Sequence, residues 1–267
     1  MTFRNLLVHV DTSSEGRSRL VNATHLARKL DARLIGVGAV AYEPYPDRTG
    51  MSERYAREWI SETLTECEAL FGELAADLND TAWRTQVGRP ASTLCDFACG
   101  ADLIIGSRAA ESEVPLIFAR PDDVLLSAGT PVLLQPPAAA PLEAARIIFG
   151  WKNTRECRRA VSDSLPLLAA AEEVKLLRFV SEGHADDDDG LDDVAERLRR
   201  HGVALTVERR QRHARSVGED MIEAATAVGA DLIVAGAYGQ PRVRELILGG
   251  VTRSLLAHSP MYVLFSH

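Results

Sequence analysis

The sequence predicts an α/β fold that is formed twice in tandem, each time as a five-stranded parallel sheet with helices on both faces. The first observation is an internal repeat, because Gly-Ala-Asp-Leu-Ile-Ile-Gly at residues 100–106 returns 129 residues later as Gly-Ala-Asp-Leu-Ile-Val-Ala-Gly at 229–236. Pro131 returns as Pro260 at the same separation. The second observation is that short apolar segments alternate with amphipathic ones, which is typical of a parallel sheet buried on both faces. The chain is therefore a duplicated unit of about 130 residues, an ordinary domain size.

The two copies define the expected domains. Their first strands begin at Leu6 and Ile147, which are 141 residues apart, so the first copy carries about 12 additional residues, most simply after Val40. A proline-rich segment joins the copies and is too stiff to belong to either core. We expect one domain at residues 1–136, a linker at 137–145 and a second domain at 146–267.

In the first copy, the apolar residues of the helices recur every three or four positions, and the central strands are apolar throughout. The segment 83–87 alternates like a partly exposed strand, and Pro90 stands where a helix begins. The predicted strands are 6–10, 34–40, 83–87, 103–105 and 132–134, and the predicted helices are 16–30, 52–78, one from Pro90, and 122–128.

The second copy repeats this order. Its predicted strands are 147–151, 174–179, 204–208, 232–235 and 262–265, and its predicted helices are 155–170, 191–201, 217–228 and 250–258. Open parallel sheets bind ligands at the carboxyl ends of their strands. The loops after the first, second and fourth strands of each copy are therefore the expected places for a site.

Composition narrows the class of partner. The chain has 46% hydrophobic and 25% charged residues and a net charge of −8, which disfavours nonspecific binding to nucleic acid or to an anionic membrane. It contains no apolar run of roughly 20 residues and no signal-peptide pattern. The four cysteines have neither zinc nor disulfide-framework spacing. We expect a cytoplasmic protein that binds neither nucleic acid nor membrane.

The most informative loop follows the fourth strand of the second copy. Gly236 and Gly239 are followed, after nine residues, by Gly249 and Gly250, where a helix is predicted to begin. Glycines let backbone N–H groups approach phosphate oxygens, and a helix N-terminus adds unpaired donors and the positive end of its dipole. Arg242 would add a charged fork. The alternative is that these glycines only shape a turn and begin a helix.

With this loop and the closing Ser-Pro-Met-Tyr-Val-Leu at 259–264, the chain resembles the universal stress proteins in a tandem two-domain arrangement. The family pattern ends in Gly-[Ser/Thr], and this chain has Gly250 in place of the hydroxyl residue. The resemblance implies a Rossmann-like fold of the adenine nucleotide alpha hydrolase type. It also implies that ATP-binding members hold the phosphates on this loop, which adds Tyr238, Val251 and Thr252 to the candidate ligand residues.

The resemblance further implies that domains pair about a two-fold axis. The last strands of the two copies, 132–134 and 262–265, would satisfy that pairing within one chain, as a pseudo-dimer. A further homodimer is left open.

The two copies depart from the family pattern in complementary ways. The resemblance places an Asp after the first strand, near the ribose and the metal, but the second copy has Lys152 there, which could contact a phosphate but could not bind Mg²⁺. The neighbouring Trp151 would either stack on a purine or belong to the core. The first copy keeps Asp11, as the acidic position or a helix N-cap. Its fourth-strand loop, 106–113, has one glycine and two acids that would repel phosphate.

The sequence therefore favours a stress-associated binding and regulatory protein with one site, in the second domain, for ATP, another adenine nucleotide or another phosphate ligand. Two alternatives stay open, which are an interaction scaffold without a ligand and a weak ATP-hydrolysing enzyme. We assign no catalytic residues and no metal site, because no Ser-His-Asp or Cys-His set can be placed together. The acidic run 186–189 and the basic cluster 209–215 are expected to be solvated connections.

Overall fold

In a computed structural model of the chain, the described residues are 2–42, 53–108, 119–180, 190–212, 216–239 and 250–267. The chain divides into two compact units. The first comprises Phe3–Val132 and Pro137–Pro141, and the second comprises Leu133–Pro136, Leu142–His267 and Thr2. The domain bounds at 136 and 146 stay predictions.

The first unit alternates strand and helix from its start. The elements are β1 Asn5–Val10, α1 Ser14–Leu30, β2 Arg33–Val40, α2 Glu53–Leu74, β3 Thr81–Val87, α3 Pro90–Phe97, β4 Leu103–Ser107 and α4 Pro121–Ser127. The strand order in the sheet is β3-β2-β1-β4, and β1 pairs in parallel with both β2 and β4.

The second unit repeats the order and includes one strand from before the linker. The elements are β5 Val132–Gln135, β6 Arg146–Trp151, α5 Arg155–Ala170, β7 Glu173–Val180, α6 Leu191–Arg200, β8 Leu205–Gln211, α7 Val217–Val228, β9 Leu232–Gly236, α8 Gly250–His258 and β10 Tyr262–Ser266. Strand β5 lies beside β10 in the order β5-β10-β9-β6-β7-β8. The strands from β6 to β10 are mutually parallel. The prediction of an α/β fold with parallel sheets is confirmed.

Most predicted elements differ from the structure by one or two residues at an end, and two of them differ by three or more. The helix predicted to reach residue 78 ends at Leu74, because the chain then turns and the Leu78 amide bonds to the Ala75 carbonyl at 3.0 Å. Strand β8 continues to Gln211, because its pairing with β7 continues as far as Val180. The prediction that 209–215 forms a connection is therefore wrong for residues 209–211, which end β8. Residues 213–215 and 186–189 lie outside the described residues.

The repeated Asp of the two copies has a structural role at the amino ends of the strands, whereas the predicted site lies at their carboxyl ends. The Asp102 carboxylate accepts hydrogen bonds from the Arg4 and Asn5 amides, both at 2.8 Å. In the second unit, Asp231 accepts from the Ala145 and Arg146 amides at 3.1 and 3.2 Å. Each Asp thereby ties the start of its own strand to the start of the neighbouring first strand, which explains why this residue appears in both copies.

Candidate functional site

In each copy, the carboxyl ends of the first and fourth strands meet the N-terminus of the helix that follows the first strand. Helix α1 is capped by Ser13, whose Oγ accepts from the Gly16 amide at 2.9 Å, and α5 by Thr154, whose Oγ1 accepts from the Cys157 amide at 3.3 Å. Both helices therefore present an ordered first turn at the edge of their sheet where ligands bind. The side chains around these turns differ between the copies.

In the first unit, this position is closed by a buried arginine. The Arg19 guanidinium is 2% exposed and forms an ion pair with Asp11. It also donates to the Ser107 Oγ at 3.0 Å and to the His9 carbonyl at 2.9 Å. Because Asp11 follows β1 and Ser107 ends β4, one side chain on α1 links the ends of two strands.

The Asp11 carboxylate is also held by its own loop. The Ser13 amide donates to its Oδ1 at 3.0 Å, and the Ser13 hydroxyl donates to the same atom. A Cβ on Gly16 would overlap this oxygen, so the absent side chain leaves room for the carboxylate. Asp11 is therefore not the cap of α1, as the sequence left open, because Ser13 takes that role.

These contacts fix the charge states in the first unit. Burial opposes ionisation of Asp11, but Arg19, His9 and the Ser13 hydrogen bond outweigh it and lower the pKa of the carboxyl. Burial, with the positive charge of Arg19, lowers the pKa of His9 to about 4. The cluster thus contains a charged pair beside a neutral imidazole.

The second unit has small residues at the positions that correspond to Arg19 and Ser107 of the first unit. Ala160 is the counterpart of Arg19 on the following helix, and Gly236 ends β9 as Ser107 ends β4. Lys152 follows β6 as Asp11 follows β1, and its side chain is exposed. Among the described residues, its ammonium has no ion-pair partner.

Gly236 brings the loop after β9 close to α5. A Cβ at this position would lie 2.6 Å from the Cys157 amide nitrogen and 2.8 Å from the Glu156 carbonyl carbon. Only glycine permits this approach without moving the helix. The glycine predicted from the sequence therefore places the start of the loop beside the first turn of α5.

The next two amides of the loop donate hydrogen bonds within the protein. The Ala237 amide bonds to the Ser266 carbonyl at 2.8 Å, and the Tyr238 amide to the buried Thr252 Oγ1 at 3.4 Å. Tyr238 has a left-handed backbone, with φ of 55°, and its ring meets the His267 ring edge-on at 5.7 Å. The Thr252 hydroxyl thus orders the loop from the following helix.

Gly239 lies against two polar side chains of α5 and its cap. A Cβ here would lie 3.1 Å from the Glu156 Oε2 and 3.1 Å from the Thr154 Oγ1. Glu156 is 9% exposed, so the carboxylate is largely covered at this point. The second glycine of the predicted loop therefore has the Glu156 carboxylate beside it, which the sequence pattern did not indicate.

The first turn of α8 is supported from behind by a hydroxyl network. Among the described residues, nothing lies within 4 Å of a Cβ built on Gly250. Behind it, the Ser254 Oγ donates to the Gly250 carbonyl at 2.9 Å and lies 2.8 Å from the Ser216 Oγ, which caps α7. Val251 and Thr252 follow in the same first turn, with Thr252 buried. Arg242 and Gly249 lie outside the described residues, as do Glu111 and Glu113 of the first-copy loop.

Trp151 is buried at the end of β6, 5% exposed, so a ligand would meet at most the edge of its ring. In the part of the chain that the structure describes, no group of three or more His, Cys, Asp or Glu side chains could hold a metal ion. Among the described helices, none is both long and apolar enough to span a membrane.

Comparison with known proteins identifies this architecture. Residues 144–267 match the sequence profile of the universal stress protein family. The structure of a universal stress protein from Archaeoglobus fulgidus has a TM-score of 0.78 and 15% identity, over 98% of this chain and 95% of that one. A functionally unknown protein from Pseudomonas aeruginosa PAO1 has a TM-score of 0.61 and 16% identity, over 99% and 92%. These structures share the fold of the whole chain. No curated protein sequence matches it.

Proposed function

Because residues 144–267 of this chain are a universal stress protein domain, we propose that the protein is a stress-associated regulatory binding protein. Its ligand would be an adenine nucleotide such as ATP, or another phosphate-containing molecule. The site would lie in the second unit alone, between the ends of β6 and β9 and the N-termini of α5 and α8.

The observation that carries this proposal is the difference between the copies at matching positions. In the first unit, Arg19 links Asp11 to Ser107 and occupies the space at the carboxyl ends of β1 and β4. The second unit has Ala160 and Gly236 at the corresponding positions, so the residues at these two positions cannot make the same closure. A ligand site built on this edge would therefore be available in one copy and filled by the protein itself in the other.

The charges of the second unit support an anionic ligand. The exposed Lys152 stands at the end of β6, one loop away from the N-terminus of α5. The first turn of α8 adds amides that have no partner within their own helix and the positive end of a helix dipole. The family pattern has an Asp near the metal after the first strand, and the second copy has Lys152 at this position. We propose that the ammonium of Lys152 contacts the phosphates directly.

A scaffold without a ligand is the second candidate, and two contacts favour it. The Ala237 and Tyr238 amides donate within the protein, which leaves fewer donors for a phosphate. Glu156 also places a carboxylate beside Gly239. A slow ATP-hydrolysing enzyme is the third candidate and predicts phosphate release above the uncatalysed rate.

Isothermal titration with ATP and with ADP, each with and without Mg²⁺, tests the proposal. We expect one site per chain and binding that does not require Mg²⁺. Lys152→Met should weaken binding about tenfold, because it removes a charge near the phosphates. Lys29→Met is the matched control, since Lys29 lies in the last turn of α1. Absence of heat at high protein concentration would reject the nucleotide and favour the scaffold, and two sites per chain would contradict the closed first unit.

A further inference from the structure

We propose that the Glu156 carboxylate is a built-in competitor for the anion site of the second unit, so that a phosphate ligand must displace it in order to bind. This inference rests on the proposed function, because it concerns the same site. It goes further by assigning a regulating side chain that the sequence pattern did not indicate.

The position of the carboxylate is the first step. Glu156 is the second residue of α5 and is 9% exposed. Its Oε2 would be 3.1 Å from a Cβ on Gly239, so the charged group is in contact with the loop glycine that a phosphate would approach. A phosphate bound against the Gly239 backbone would therefore lie close to this carboxylate, and two neighbouring anions repel strongly when water is partly excluded.

Two interactions stabilise the carboxylate in this position. It lies in the first turn of α5, where the helix dipole stabilises a negative charge. Its Oε1 is 3.4 Å from the Arg155 Nε. Because the Arg155 side chain is 72% exposed, a carboxylate that turns outward would retain a cationic partner in solvent. The observed position is therefore stabilised, and an outward-turned carboxylate would keep a cationic neighbour.

The first unit supplies a matched comparison. Glu15 is the second residue of α1, at the same place relative to its cap Ser13 as Glu156 is to Thr154. Its Oε2 accepts a hydrogen bond from the Ser14 hydroxyl at 2.8 Å, in an exposed position. Glu15 thus has the same helix position and charge as Glu156 but lies outside the proposed ligand site.

The test compares ADP binding, without metal and at low ionic strength, by the unmodified chain, Glu156→Gln and Glu15→Gln. We expect Glu156→Gln to bind ADP about tenfold more tightly, because it removes the charge and keeps the shape of the side chain. Glu15→Gln should bind like the unmodified chain, although it loses the same charge and the same helix-dipole interaction. Glu156→Ala provides a second variant in which no amide can replace the carboxylate at Gly239.

The outcomes separate the two proposals. Tighter binding by Glu156→Gln or Glu156→Ala, with Glu15→Gln unchanged, would support the competing carboxylate. Equal or weaker binding by both Glu156 variants would overturn it while leaving the proposed function in place. If neither the unmodified chain nor the Glu156 variants bind ADP or ATP, the proposed function fails and this inference fails with it.

Discussion

Among single residues, Arg19 determines how much space the first unit leaves for a ligand. It is among the largest fully buried side chains of the described chain, and its partners come from β1, from the loop after β1 and from β4. A buried ion pair often contributes little net stability compared with a well-packed apolar pair, but removal of one partner leaves the other charge buried and unpaired. The cost of that isolated charge makes the role of Arg19 measurable.

Replacement of Arg19 by Met is expected to destabilise the first unit by about 3–5 kcal/mol, because Asp11 would remain buried without its partner. Arg17→Met is the control, since Arg17 lies on the same helix and pairs with Glu73 at 2.7 Å on the surface, where such pairs contribute at most about 1 kcal/mol. Urea denaturation measures both. The double variant Arg19→Met with Asp11→Asn should recover part of the loss, and an Arg19→Met chain as stable as Arg17→Met would contradict the ion-pair argument.

His9 gives the same cluster a pH dependence with a defined sign. Its pKa is lowered to about 4 by burial and by Arg19, so the unfolded chain takes up the proton at a higher pH than the folded one. Stability should therefore fall as the pH decreases from about 6.5 to about 4, by about 3 kcal/mol in total. Asp11, whose pKa is also lowered, adds a further loss only at pH values below its unfolded pKa.

NMR titration of the histidine ring protons checks this directly, with the exposed His258 as an internal comparison. We expect the His9 resonances to stay those of a neutral ring down to about pH 4. A His9 titration near pH 6.5 would show that the imidazole is not confined beside Arg19.

At the scale of elements, the strands and helices follow from local pattern, whereas the site depends on contacts that no local pattern contains. Helix α5 was predicted at its observed bounds, Arg155–Ala170, even though Pro166 lies inside it, because its apolar face is regular. The contacts of Arg19 with Ser107 and of Glu156 with Gly239 could not be predicted, since the two residues of each pair lie more than 80 positions apart. A signal for Arg19 did exist, because it shares a helix face with Ala23 and stands where the other copy has Ala160.

Two glycines separate the effect of close approach from that of helix propensity. Gly236→Ala should destabilise the second unit by about 1–3 kcal/mol, because its Cβ would lie 2.6 Å from the Cys157 amide and α5 would have to move. Gly72→Ala should stabilise the first unit by up to about 1 kcal/mol, because Gly72 lies inside α2 and a Cβ there would meet nothing within 4 Å. Thermal denaturation distinguishes them. A Gly236→Ala chain as stable as the unmodified one would mean that the loop does not rest against α5.

At the scale of the whole molecule, duplication explains which features persist and which diverge. The repeated Asp102 and Asp231 keep the same backbone contacts, so the framework of each copy is unchanged. The differences are concentrated at the carboxyl ends of the strands, where Asp11, Arg19 and Ser107 of the first copy correspond to Lys152, Ala160 and Gly236 of the second. Comparison of the two copies within one sequence therefore locates the site, although it does not reveal the side-chain contacts that close or open it.

Strand β5 has a consequence for any attempt to study the second copy alone. Leu133–Pro136 belong to the second unit, where β5 lies beside β10, although they precede the linker. A fragment of residues 142–267 would leave one flank of β10 with bare peptide groups, a template for strand addition. We expect that fragment to self-associate in sedimentation experiments. A fragment of 131–267 should do so less, because β10 would be covered and its outermost strand would be the four-residue β5. Equal behaviour of both fragments would contradict this. The expected difference would mean that the last strand of the candidate ligand-binding half is shielded by a strand encoded before the linker.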